Sequence, residues 1–90
     1  MKLRLKRHRQ FLKDLRKVRM TDSQFQRYVE YLNLLINKKR LPPEAKDHEL
    51  QGHWKGFREF HLGGDLLIIY KKRDQDLVLA RIGTHNRLFK

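Results

Sequence analysis

The first half of the chain changes its hydrophobic period once. Polar and apolar residues alternate from Lys2 to Lys6, which is the period of a half-buried strand. From His8 onward the apolar residues follow helical spacing instead, and cations gather on another face. The pattern predicts an N-terminal strand followed by an amphipathic helix whose apolar face comprises Phe11, Leu12, Leu15 and Val18.

A second helix is predicted to begin after Thr21, where T-x-x-Q forms a capping box with Gln24. We expect it to end near Asn37, because the three cations at 38–40 suit the negative end of a helix dipole. The prolines at 42 and 43 then block any continuation. The apolar stripe of this helix comprises Phe25, Tyr28, Val29, Leu32, Leu35 and Ile36. Two such helices form a hairpin whose apolar faces need a sheet to cover them.

Four short strands are predicted in the second half, at 47–50, 57–61, 66–70 and 77–83. The run 66–70 is apolar on both faces, as expected of a central strand. Gly63 and Gly64 are predicted to form a two-residue hairpin loop. The order β-α-α-β-β-β-β predicts one α+β domain over residues 1–90, in which an N-terminal strand and a helical hairpin pack on a mainly antiparallel sheet.

Composition narrows the classes of function. The chain has 90 residues, a size that suits one domain, and its net charge of +12 predicts a polyanionic partner, either nucleic acid or an acidic protein. The absence of cysteine excludes disulfides, thiolate metal sites and thiol nucleophiles. No apolar stretch approaches the ~20 residues of a membrane span, so we expect no membrane association and a cytoplasmic location.

Five polar residues of the second half suit cleavage of a phosphodiester: His48, His61, Asp65, Arg81 and His85. Imidazoles titrate near neutral pH and therefore suit proton transfer. Strand parity places Arg81, Gly83 and His85 on one side of the last strand, and the glycine hairpin brings Asp65 close to His61. A guanidinium can hold phosphate oxygens. A histidine can take a proton from a ribose 2′-hydroxyl or return one to the leaving 5′-oxygen.

Simpler interpretations stay open. Each of these residues, taken alone, is more often an ordinary surface or strand-end residue. The side chains of His48, His61, Asp65 and His85 can also ligate zinc, although none shows the close spacing of a helical zinc pair and an arginine nearby opposes a cation. Phe89 either docks into the core or stacks on a nucleobase.

Two longer stretches carry a resemblance that covers nearly the whole chain. The sequence K-D-H-x-L-x-G-x-W-K-G begins at Lys46, and R-x-G-T-H-x-x-L-F begins at Arg81. Together they resemble the YafQ-type branch of the RelE/ParE superfamily, which comprises toxins of bacterial type II toxin–antitoxin modules. The resemblance implies a small RelE-like α+β fold, in agreement with the elements predicted above.

The resemblance also implies an mRNA endoribonuclease that acts on messages in the ribosomal A site. It implies a cognate antitoxin that neutralises the toxin and represses the operon, so contact with operator DNA would be only indirect. By position, the residues that match the family's acid–base residues are His48, His61, Asp65 and His85. Arg81 matches its phosphate-contacting arginine, and Phe89 its C-terminal aromatic. We then expect contacts with ribosomal RNA phosphates from the basic face of the first helix, which comprises Arg9, Lys13, Arg16 and Lys17.

We therefore predict a metal-independent ribonuclease without a cofactor. The 2′-hydroxyl acts as internal nucleophile, and the products are a 2′,3′-cyclic phosphate and a 5′-hydroxyl. His85 is the first choice for direct proton transfer, followed by His48 and His61, and the division into acid and base stays open. The alternative is a non-catalytic RNA-binding module or a DNA-binding regulator with incidental histidines, which would bind without cleavage.

Overall fold

A computed structural model describes residues 2–89, which form one five-stranded sheet with helices packed against it. The strands are β1 (Arg4–Arg7), β2 (His48–Glu49), β3 (Arg58–Gly63), β4 (Leu66–Arg73) and β5 (Asp76–Thr84). Their order across the sheet is β1-β5-β4-β3-β2. The β1–β5 pair is parallel and the other three pairs are antiparallel. The predicted α+β class and mainly antiparallel sheet are confirmed.

Three α-helices accompany the sheet: α1 (Arg9–Lys17), α2 (Asp22–Ile36) and α3 (His85–Leu88). The predicted capping box of α2 is present, because Gln24 N donates to Thr21 Oγ1 and Thr21 N donates to Gln24 Oε1. This helix ends at the C-cap Asn37, as predicted. The helix α3 was not predicted. None of the helices within residues 2–89 has the length and apolar character needed to cross a membrane.

The larger core lies between the two long helices and one face of the sheet. Phe11 from α1 and Phe60 from β3 are fully buried there. The predicted apolar stripe of α2 is wrong at its outer edge, since Phe25 and Val29 are 54% and 52% exposed. Tyr31, which the stripe omitted, is buried instead and packs its ring edge-on against Phe60. The sheet covers only the side of α2 that faces Phe60.

A smaller apolar cluster covers the opposite face of the sheet. Alternate residues of β4 serve both faces, as its sequence predicted: Ile68 belongs to the larger core, whereas Leu67 and Ile69 belong to the smaller one. Leu88 and Phe89, at the end of the chain, pack on this second face. The segment that covers the smaller cluster therefore also carries the last two residues of the R-x-G-T-H-x-x-L-F stretch.

The turn between β3 and β4 differs from the prediction by one residue. Its loop residues are Gly64 and Asp65, and Gly63 belongs to β3. A β-bulge between His61 and Gly63 takes up the extra residue. Gly63 has a φ of 115°, which favours glycine, and its carbonyl accepts a hydrogen bond from Gln24 Nε2 of α2. The shift places Asp65 at the tip of the loop.

Candidate active site

The face of the sheet that carries the smaller cluster brings polar residues from several strands into one row. The strand register pairs His48 with Glu59, Glu59 with Ile69, and Ile69 with Arg81. Directly paired residues project their side chains on the same face, so this row crosses the sheet from β2 to β5. His61 follows Glu59 by two residues and projects on the same face. The sheet thus brings His48, His61 and Arg81 onto one face.

Glu59 lies between two of the predicted histidines. Its Oε2 atom is 3.2 Å from His48 Nε2 and 3.1 Å from His61 Nε2. The two imidazole rings stack with their centroids 6.4 Å apart. The carboxylate side chain is only 6% exposed, whereas the side chains of His48 and His61 are 52% and 25% exposed. A buried carboxylate therefore fixes the orientation of two imidazoles whose rings still reach solvent.

The other ring nitrogen of His48 also faces an oxygen atom. His48 Nδ1 lies 2.7 Å from the carbonyl oxygen of Lys46. Both nitrogens of this ring therefore point at acceptors, and only an imidazole that carries two protons donates to both.

Glu59 is a site residue that the sequence analysis missed. Its Oε1 atom is buried and has no hydrogen-bond partner among the residues that the structure describes. Leaving such an atom unpaired typically costs about 1–3 kcal/mol, so it calls for an explanation other than folding. The available signal was the E-F-H sequence of β3, which places Glu59 and His61 on one face of the strand and Phe60 in the core.

His85 is the first residue of α3. The strand-parity prediction treated it as a continuation of β5 and is therefore wrong at this residue. Thr84 is the N-cap of this helix, and its Oγ1 accepts a hydrogen bond from Arg87 N. The exposed His85 ring lies 4.8 Å from the Phe89 ring, and His85 N donates to the Asp65 carbonyl. The Asp65 side chain is exposed and makes no hydrogen bond within residues 2–89. The backbone thus joins Asp65 to His85 and leaves both side chains open to a ligand.

Arg81 is anchored to a buried carboxylate of α1. Its Nε lies 2.6 Å from Asp14 Oδ2 and its Nη2 lies 3.0 Å from Asp14 Oδ1. Burial raises the pKa of Asp14, but hydrogen bonds from Arg81 and from Ile82 N, with the charge of Arg81, outweigh it and hold that pKa below its usual value. The hydrogen bond to Asp14 in turn raises the pKa of Arg81. The guanidinium is therefore a fixed cation, and its Nη1 makes no hydrogen bond within the described part of the chain.

The predicted site residues thus form two groups and not one contact cluster. His48 and His61 meet at Glu59, while His85 lies with Phe89 beyond the end of β5. The Arg81 backbone is two strands from Glu59, or roughly 10 Å at the usual strand spacing.

The basic face predicted for α1 is solvent-exposed at all four of its positions, which are Arg9, Lys13, Arg16 and Lys17.

Known proteins share both the sequence and this fold. Residues 3–90 match a family described as the bacterial toxin of type II toxin–antitoxin systems, YafQ. The chain belongs to the YafQ toxin family. It is 40% identical over 81 residues to the mRNA interferase toxin YafQ of Escherichia coli strain K12, an alignment that covers 89% of this chain and 88% of that protein.

Solved structures of YafQ proteins and related toxins agree with this assignment. A copper-bound mutant toxin from Helicobacter pylori has a TM-score of 0.85 and 37% identity, covering 97% of this chain and 99% of that one. A chain of the E. coli DinJ–YafQ toxin–antitoxin complex has a TM-score of 0.83 and 35% identity, with all of both chains covered. The family, the toxin class and the fold predicted from the sequence are confirmed.

A related toxin, the one from Helicobacter pylori, is copper-bound by name. Glu59 Oε2 is within hydrogen-bonding distance of Nε2 of both His48 and His61. Across residues 2–89, no group of three or more histidine, aspartate or glutamate side chains is placed to hold a metal.

Proposed function

We propose that this YafQ family member is a ribosome-dependent mRNA endoribonuclease that stops translation. The observation that carries the proposal is the pair of imidazoles oriented by the buried Glu59 carboxylate, in the same sheet row as the fixed guanidinium of Arg81. The name of the E. coli relative, an mRNA interferase, supports the same substrate. The net charge of +12 suits a protein that binds RNA.

In the proposed reaction the ribose 2′-hydroxyl attacks the adjacent phosphorus, and the bond from phosphorus to the 5′-oxygen breaks. One side chain takes the proton of the 2′-hydroxyl and another gives a proton to the leaving 5′-oxygen. The products are a 2′,3′-cyclic phosphate and a 5′-hydroxyl. Arg81 stabilises the charge that develops on the phosphate oxygens, so the chemistry needs no metal or other cofactor.

The surroundings of each residue support a role. His85 is exposed at the start of α3, where its ring can reach a bound phosphate, and we assign it direct proton transfer. His48, whose two ring nitrogens face acceptors, suits the proton donor, with His61 beside it. Asp65 orients His85 or serves as the base, and Phe89 stacks on a nucleobase next to the His85 ring.

Mapping the ends of a message during translation in vitro tests the function. We expect this toxin to cut the message only when ribosomes are present, and to leave 2′,3′-cyclic phosphate ends. The toxin is first treated with a chelator and then freed of it, so that ribosomal Mg²⁺ is preserved, and cleavage should be undiminished. Restoration of lost activity by added metal would contradict metal independence. Intact messages despite ribosome binding would favour a non-catalytic binding module.

We further propose that the basic face of α1 binds ribosomal RNA phosphates. Neutralising Arg9, Lys13, Arg16 and Lys17 together should weaken ribosome binding and lower its salt slope by about 3–4, because each duplex phosphate contact contributes roughly 0.9. A control variant removes equal charge from exposed positions elsewhere, namely Lys2, Lys6, Lys55 and Arg73. Filter binding across a salt series measures both. Indistinguishable slopes for the two variants would exclude a specific role for α1.

A cognate antitoxin is the proposed partner that keeps this toxin inactive. The DinJ–YafQ complex of E. coli supports it, because its toxin chain matches the whole of this chain. We propose that operator DNA is reached only through such a complex, and that the toxin acts in the cytoplasm, where ribosomes are. Co-purification with the product of an adjacent gene tests the partnership, and failure to form any complex would count against it.

A further inference from the structure

A groove of about 700 Å³, here called the basic groove, lies on the helix side of the sheet. The end of α2, the proline loop, and strands β3 and β4 line it. Its charged lining residues are one carboxylate, Asp47, and six cations, which are Lys38, Lys39, Arg40, Lys46, Arg58 and Lys72. The Asp47 carboxylate accepts hydrogen bonds from Arg58 Nε at 3.1 Å and Tyr70 Oη at 2.6 Å. The other five cations form no ion pair within residues 2–89.

Two of these lysines have backbone conformations that favour glycine. Lys38 has a φ of 60° and Lys46 a φ of 52°, and Asp74 is the one other non-glycine residue with positive φ in the described chain. Lys38 follows the end of α2, and Lys38 N donates to the Leu35 carbonyl, which is a position where glycine is usual. Strained residues of this kind point to a functional requirement. Glycine would relieve the strain at both turns, but it would not provide the positive charge that lysine carries there.

The basic groove and the candidate active site lie on opposite faces of the sheet and approach each other at its edge strand β2, where Lys46 contributes to both. Lys46 lines the groove, and its carbonyl oxygen lies 2.7 Å from Nδ1 of His48. The Cα atoms of these two residues are at most about 7 Å apart, since each residue extends the chain by no more than ~3.6 Å. An RNA strand whose reacting phosphate lies at His48 therefore has its neighbouring phosphates at the mouth of the groove.

We propose that the basic groove binds the sugar–phosphate backbone of the substrate RNA on one side of the cleaved bond. This inference rests on the nuclease function proposed above and adds the path of the substrate to it. Lysines neutralise phosphates without reading sequence, so the groove would hold many different messages. An acidic protein segment would also need apolar anchors beside its charges. Of the apolar lining residues, Leu35 is buried, Leu41 and Pro42 are half-buried and Pro43 is exposed, so the accessible lining is mainly cationic.

Oligonucleotides with 2′-O-methyl groups test the groove without cleavage, because they lack the attacking hydroxyl. The groove variant combines Lys38→Gly with Lys46→Gly, and its control combines Lys2→Gln with Lys6→Gln, which removes equal charge. For a strand of about 12 nucleotides, the groove variant should bind on the order of tenfold more weakly than the control, with a salt slope lower by about 1.4. Both should bind a dinucleotide alike.

Thermal unfolding separates this effect from damage to the fold. The groove variant should melt at a higher temperature than wild type, because glycine relieves the positive φ at both positions. Weaker RNA binding by a more stable protein cannot arise from unfolding. A second variant, Lys39→Gln with Lys72→Gln, leaves the two strained turns intact and should show the same length-dependent loss.

Equal affinity of the groove variant and its control for the long strand would overturn the inference. If the groove variant lost only its binding to mRNA-free ribosomes, the groove would be a site for ribosomal RNA. If it lost only its capture of a co-expressed antitoxin, the groove would be a site for an acidic protein. Either result overturns it as well. Length-dependent oligonucleotide binding without any cleavage on translating ribosomes would support the groove as an RNA site and refute the nuclease function.

Discussion

The variant His85→Ala should cut translated messages at least ~100-fold more slowly than wild type, because a general acid or base typically contributes about 10²–10⁴ in rate. The fold should persist, since the side chain is exposed at the first position of α3, where its ring lies beside the Phe89 ring. Single-turnover cleavage on saturating ribosomes measures the rate. Urea unfolding of the same preparation measures the stability.

A histidine elsewhere in the chain provides the matched control. His53 is exposed in a short 3-10 turn, Gly52–Trp54, and its ring packs edge-on against Trp54. His53→Ala should therefore retain cleavage close to that of wild type. A wild-type rate in the His85 variant would show that His85 does not transfer a proton. An equal loss in both variants would indicate that removing any imidazole disturbs the protein.

The fold could be predicted where its signals are local. The capping box of α2 requires only Thr21 and Gln24, three residues apart, and the two-sided apolar character of β4 is visible in four consecutive residues. The helix α3 was missed because four residues are too few to show helical periodicity. The exposure of Phe25 and Val29 was missed because the width of the covering sheet is a tertiary property.

The candidate site shows the same limit more sharply. Strand parity identifies residues that share a face of the sheet, and it correctly grouped Arg81 with Gly83. Arg81 pairs with Ile69 and Gly83 pairs with Leu67, and both partners belong to the smaller cluster. Parity within a strand cannot give the register between strands, and that register places His48 beside Glu59. The contact between Asp14 and Arg81 spans 67 positions and joins a helix to a strand, so no local pattern reveals it.

The variant Asp14→Ala should lower the free energy of unfolding by about 2–4 kcal/mol. Asp14 is 2% exposed, and its removal leaves the Arg81 guanidinium and Ile82 N–H without their acceptor. We expect a smaller loss of stability than for breaking a fully buried ion pair, because the Arg81 side chain is 23% exposed and water can solvate it in part. Urea unfolding at pH 7 measures it. Since small domains are stabilised by only about 5–15 kcal/mol, the change is large.

The pH dependence separates the charge of Asp14 from its packing. Its pKa is lowered in the folded state, so the ionised carboxylate stabilises the fold above the unfolded-state pKa. That contribution is lost as the pH falls through the folded-state pKa. Asp14→Asn keeps the shape without the charge, so its stability deficit relative to wild type should shrink below about pH 4. A deficit that stays constant from neutral pH to acid would show that Asp14 stabilises the fold by packing alone. Arg81 would then owe its orientation to other contacts.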